Sequence, residues 1–253
     1  MEKVYRPLIW IVNFAMNEMQ DFYGTKLRYI INLQKGGTAP FVWFLMNYYQ
    51  NFEIGAWAYL VLHGSYGIVW LIKDCAFPDK NFDKKVSVLA ITLVSAVLLL
   101  YWVLPWLLIS RTASQIISPE RIAISVSLVV IGVCIMIASD AQKYFTLEYK
   151  KGLISEGMFS YSRNPNYFGE ILIYLGFGVL VGHWLSYTIL FTIWTTIFMS
   201  LMIQKDQSLK KKDGWNEYKK RSWILLPKLV PSSSTLTIGI YAIIFSALYL
   251  KIA

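Results

Sequence analysis

Repeated apolar runs, each about as long as a bilayer is thick, constrain this chain more than any other feature. They lie at about residues 54–72, 87–110, 122–139, 168–183, 185–204 and 232–250 and carry few charges. A run of roughly 18 residues or more crosses a hydrocarbon core of about 30 Å only as a helix, because lipid offers no partner to an unpaired backbone amide. The expectation is an all-α fold: a polytopic integral membrane helical bundle of about six transmembrane helices. Composition agrees, since 56% of the 253 residues are hydrophobic, more than a soluble domain usually carries.

Two regions follow from this pattern. Residues 1–50 hold apolar stretches at 7–12 and 40–46 that are too short to span, and are expected to form an interfacial or partner-facing segment. Residues 51–253 form the transmembrane bundle. Lys3 and Arg6 precede a brief apolar stretch, but Asn17, Glu18 and Asp21 stand where small cleavage-site residues would be needed, so a cleaved signal peptide is not expected. The two cysteines, Cys75 and Cys134, cannot build a disulfide framework or a multi-cysteine metal site, and no metal is expected.

Charge gives sidedness. If the spans alternate, the connections at 73–86, 141–166 and 205–228 share one face and hold 16 of the 24 Lys and Arg; Arg111, Arg121 and Lys251 fall on the other. The positive-inside rule then turns the basic connections toward the cytosol or an organelle matrix, in the endoplasmic reticulum or the mitochondrial inner membrane. Lysines placed by topology and by attraction to anionic headgroups call for no nucleic acid. Membrane lipids are the expected surroundings.

Chemistry is concentrated in residues 138–228. Asp140 closes the third span within Ser139-Asp140-Ala141-Gln142-Lys143, either as a ligand-facing acid or as a solvated boundary residue. Asn164-Pro165 reads as an N-cap and first helical position, so a helix starts there with unpaired amides that attract anions. Asn166, Glu170 and Tyr174 recur every fourth residue and share one face descending into the membrane. A carboxylate at that depth needs a partner, which makes Glu170 a functional candidate; pairing with a neighbouring helix for stability is the alternative. The third cluster runs from Lys205-Asp206 through Gly214-Trp215-Asn216-Glu217-Tyr218 to Pro227.

Gly152-Leu153-Ile154, Arg163-Asn164-Pro165-Asn166-Tyr167-Phe168-Gly169-Glu170 and Gly214-Trp215-Asn216-Glu217-Tyr218 together resemble the C-terminal domain of the steroid 5α-reductase family, over about a third of the chain. Within it the sequence looks closest to the bacterial and protist branch. The resemblance implies an NADPH pocket that opens on the cytosolic side, with a hydride passed to an activated carbon–carbon double bond of a lipid. It assigns Asp140, Asn166 and Glu170 to hydrogen bonds with the cofactor, and Tyr161, Arg163 and Tyr167 to the lining. Lys205-Asp206 stands where related sterol reductases have Arg-Asp, so a point charge replaces a planar phosphate fork. Met136 replaces a cofactor-binding Asn, and Phe198, Met199, Met202 and Gln204 offer no counterpart to a His and an Arg.

The acid that would polarise a carbonyl cannot be aligned. His63 with Tyr66, or Glu53, are candidates by chemistry; a packed interhelical hydrogen bond is the plainer role for His63. Because cofactor donors are missing, a second expectation is a catalytically silent copy of the fold, an accessory subunit of a larger membrane assembly such as a mitochondrial respiratory complex. The third is S-adenosylmethionine-dependent methyl transfer, since isoprenylcysteine methyltransferases share an Arg-x-Pro-x-Tyr element, although the paired acids they carry later are absent.

Overall fold

The computed structural model describes residues 2–14, 24–110 and 117–252. Asn17, Glu18 and Asp21, on which the signal-peptide expectation rests, and Arg111 of the charge count lie outside them. Helices α1 (Glu2–Asn13), α2 (Leu27–Tyr48), α3 (Ile54–Ala76), α4 (Val88–Leu100), α5 (Val103–Ile109), α6 (Pro119–Tyr149), α7 (Pro165–Val181), α8 (Trp184–Ile193), α9 (Met199–Leu209), α10 (Trp215–Arg221) and α11 (Ser234–Ile252) follow in order. Two-residue strands β1 (Thr25–Lys26) and β2 (Lys85–Val86) pair antiparallel beside the start of α2. The protein is an all-α membrane helical bundle.

Among the described residues, four helices are long and apolar enough to cross a membrane: Ile54–Ala76, Val88–Ile109, Pro119–Tyr149 and Trp184–Leu209. They coincide with four of the expected spans. The last contains a π turn at Trp194–Phe198 that joins α8 to α9. The other two expected spans correspond to shorter apolar helices, Pro165–Val181 and Ser234–Ile244.

Residues 27–48 depart from the sequence expectation: in place of short apolar pieces they form one 22-residue helix, about 33 Å long. It runs antiparallel to α3. Arg28 donates to Asp74 near one end (3.0 Å), and Trp43 meets Trp57 near the other (5.9 Å between centroids). Gln34, Lys35 and Thr38 are buried. Hydropathy averaging misses such a helix because its polar residues face inward, onto neighbouring helices.

Helices α6 and α7 make the closest seam. A Cβ on Gly132 would lie 2.6 Å from the Gly169 carbonyl oxygen, and one on Gly169 would lie 2.7 Å from the Met136 amide nitrogen. Ser125 donates its hydroxyl to the Gly176 carbonyl (2.8 Å). Without a hydrophobic drive between helices in lipid, small residues that let backbones touch supply the packing attraction. This seam fixes the depth of α7, and with it Glu170 and Tyr174.

The three basic connections gather at one end of the bundle. Lys143 at the end of α6 meets Asp79 of the 77–87 connection (2.7 Å), and Arg163 before α7 meets Asp206 of α9 (2.9 Å).

Candidate functional site

The entry to α7 is built first by its own backbone. The α7 helix starts at Pro165 with Asn164 in the N-cap position, as the sequence indicates, but the Asn164 side chain does not cap it. Its amide nitrogen instead donates to the Ile224 carbonyl (2.8 Å), and Ser162 donates to the Leu225 carbonyl (2.7 Å). Residues 161–164 are thereby tied to the strip that follows α10.

Arg163 is buried. Its Nε and Nη2 fork onto both oxygens of Asp206 (2.9–3.2 Å), and Nη1 donates to the Ser222 carbonyl (2.5 Å). The guanidinium lies over the Trp215 ring (5.6 Å). A planar fork to Asp206 therefore exists, supplied by Arg163, while Lys205 turns to the Arg163 carbonyl (2.9 Å). The Gly214-Trp215-x-x-Tyr218 element supports this pair. Gly214 has φ 77°, the left-handed conformation that glycine adopts at little cost, and Tyr218 donates to the Phe159 carbonyl (2.9 Å). Burial raises the Tyr218 hydroxyl to about 12, against the lowering effect of Arg163.

A second cluster lies deeper. Lys35 of α2 donates to the hydroxyls of Tyr66 (3.0 Å) and Tyr174 (2.5 Å). Its ammonium sits over the rings of Tyr66, Trp70 and Tyr174 at 4.5, 4.8 and 4.9 Å, a cage in which cation–π attraction offsets part of the desolvation cost. Glu170 is within electrostatic reach of Lys35, Lys73 and Asp140. Lys73 bridges to Asp140 (2.9 Å). The chain thus holds opposite charges together at depth, where either sign alone would be costly.

Between this cluster and the end of the bundle lies a small cleft of about 150 Å³, lined by Lys73, Asp79, Asp140 and Lys143 among others. Asp79 belongs to the 77–87 connection, outside the spans. Burial pushes its carboxyl up, but the charge and hydrogen bond of Lys143 and the Asn81 amide hold it below its ordinary value.

The candidate residues thus separate. Asp140 and Glu170 join the deep cluster together with Tyr174. Tyr167 packs its ring on Phe198 (5.0 Å). The Asn166 Oδ1 and Gln204 Nε2 atoms are buried with no hydrogen-bond partner. Arg163 and Asp206 form the separate pair at the basic end of the bundle, and Tyr161 is exposed, its carbonyl accepting from the Lys228 amide. Met136 accepts weakly from the Tyr66 hydroxyl (3.9 Å). His63 shares a hydrogen bond with Tyr59 on its own helix (3.0 Å) and stacks on Phe177 (4.2 Å), while Glu53 sits at the far end of α3. Sequence reading missed Lys35 and Lys73. A sequence signal existed for Lys35, a lone cation beside Gly36 and Gly37; the close approach that buries it, with a Cβ on Gly67 2.2 Å from the Lys35 carbonyl oxygen, appears only in the structure.

Fold and site define a polytopic helical membrane protein with ionisable groups paired inside the bundle. Residues 78–222 match the family described as "Protein of unknown function (DUF1295)", and the chain belongs to that family. It is linked to steroid 5α-reductase-like membrane proteins. No curated protein matches the chain.

Proposed function

We propose that the protein is a membrane reductase of the bacterial and protist branch of the steroid 5α-reductase family, using NADPH to reduce a carbon–carbon double bond in a lipid. The observation that carries this reading is the Lys35–Tyr66–Tyr174 cluster. Each phenol oxygen accepts from the ammonium, so each hydroxyl keeps its own proton for another acceptor. The Tyr66 hydroxyl meets the Met136 sulfur (3.9 Å) as well as the Tyr174 hydroxyl, and the sulfur is a weak acceptor that a carbonyl oxygen would displace. Lys35 would then stabilise the charge developing on that oxygen, and Glu170 would balance Lys35.

When bound, the nucleotide supplies the hydride. Asn166, Glu170, Asp140 and Lys205 are the residues that would hold it. Their donor and acceptor character suits an amide-bearing ring: Asn166 Oδ1 and Gln204 Nε2 are buried polar atoms in need of a partner. The basic end of the bundle would face the cytosol or an organelle matrix, in the endoplasmic reticulum or the mitochondrial inner membrane.

A second reading, a silent accessory subunit of a membrane complex, is favoured by one observation: Asp140 and Arg163 are already satisfied, by Lys73 and by Asp206. Purification in mild detergent with mass spectrometry of released small molecules and co-purifying proteins separates the two. NADPH released from the wild-type chain and lost in Glu170→Gln, with Tyr66→Phe retaining nucleotide but not reducing enone lipids, supports the reductase. A stoichiometric complex without nucleotide sinks it.

A further inference from the structure

A groove of about 550 Å³ lies between α9, α10 and the 222–226 strip, within the range of roughly 300–1,000 Å³ typical of small-molecule sites. It shares no lining residue with the cleft at Asp140. Its chemistry is divided. Apolar lining comes from Ile224 and Leu225, both half-buried, and from the buried Ile203 and Trp215; Lys210 and Lys219 also line it and are exposed. The Arg163–Asp206 pair at the groove is internally neutral. Lys210 and Lys219 make no ion pair among the described residues, so the groove carries net positive charge.

We propose that this groove binds one anionic glycerophospholipid of the surrounding membrane, its phosphodiester between Lys210 and Lys219 and an acyl chain along Ile203, Ile224 and Leu225. Two arguments select a lipid over a free phosphate. The groove is lined in part by Ile203 of α9, which belongs to the Trp184–Leu209 segment that is long and apolar enough to cross the bilayer, so an acyl chain along Ile203 would lie beside a spanning helix. A water-soluble phosphate would leave the apolar lining facing water and forgo its burial. The two lysines select an anionic headgroup, because each basic side chain near a bilayer surface adds attraction to negative lipid and none to a zwitterion's net charge.

The test is native mass spectrometry of the full chain in mild detergent, titrated with dioleoyl phosphatidylglycerol, dioleoyl phosphatidylcholine or inorganic phosphate. The wild type should prefer phosphatidylglycerol over phosphatidylcholine by on the order of tenfold. Lys210→Gln with Lys219→Gln, both exposed positions that leave packing intact, should bring the two lipids level. Lys150→Gln with Lys151→Gln, also exposed but outside the groove, should keep the preference. Leu225→Gln should weaken both lipids together. Equal binding of the two lipids by the wild type, an undiminished preference in the Lys210/Lys219 variant, or unchanged binding in Leu225→Gln would each overturn the proposal. So would displacement of phosphatidylglycerol by inorganic phosphate, which would make the groove a phosphate site.

Discussion

Replacing Asp206 with Ala would leave the Arg163 guanidinium buried with the Ser222 carbonyl as its remaining hydrogen-bond acceptor and the Trp215 ring beneath it. Removing one member of a buried ion pair costs about 3–5 kcal/mol, mostly because the remaining charge is stranded away from water. Side-chain exposures of 7% for Arg163 and 18% for Asp206, together with the surviving bond to Ser222, place the cost near the lower end, about 3 kcal/mol. For a chain of this size each kcal/mol lowers Tm by roughly 2–4 °C, so a fall of about 6–12 °C is expected. Thermal melts followed by circular dichroism in a fixed detergent measure it. The double variant Arg163→Met with Asp206→Leu should melt well above Asp206→Ala, because no unpaired charge remains. A fall below about 2 °C in Asp206→Ala, or a double variant no better than the single one, would refute the view that this pair anchors the start of α7 to α9.

Three further outcomes follow from the geometry. Gly169→Ala forces a Cβ into the backbone of α6 and should cost about 1–3 kcal/mol, seen as a lower Tm, whereas Gly239→Ala, with no heavy atom within 4 Å of the added Cβ, should not lower it. Asp79 has a depressed value in the folded state, so the stability it adds through Lys143 is present above the ordinary carboxylate range and is lost as pH falls below about 4. Melts between neutral pH and that range should show Asp79→Asn losing less Tm on acidification than the wild type does. Tyr218→Phe strands the Phe159 carbonyl and should cost about 1 kcal/mol; the same melts would register no change if that hydrogen bond were dispensable.

Much of the candidate site was readable as spacing within one helix. The four-residue recurrence of Asn166, Glu170 and Tyr174 put a carboxylate and a phenol on one descending face, and Tyr174 indeed accepts from a buried Lys35. The partner was not readable, because Lys35 lies 139 residues away on a helix whose buried polar residues disguise it as a poor span. Arg163 and Asp206 illustrate the same limit. Both stood out as residue types, but Asp206 was read beside its chain neighbour Lys205, whereas the fork comes from a residue 43 positions earlier.

Lipid accepts a backbone only as a satisfied helix, so the lengths of the apolar runs and the Asn164-Pro165 junction were enough to establish the bundle and the start of α7. These are properties of neighbouring residues, and no distant contact is needed to impose them. The division of the polar residues into a deep Lys35–Tyr66–Tyr174 cluster facing Glu170 and a separate buried Arg163–Asp206 pair at the basic end of the bundle came from packing. The glycine seam between α6 and α7 sets the depth of one helix against the next, and a charge brought into the bundle is paired with whichever opposite charge that depth makes its neighbour.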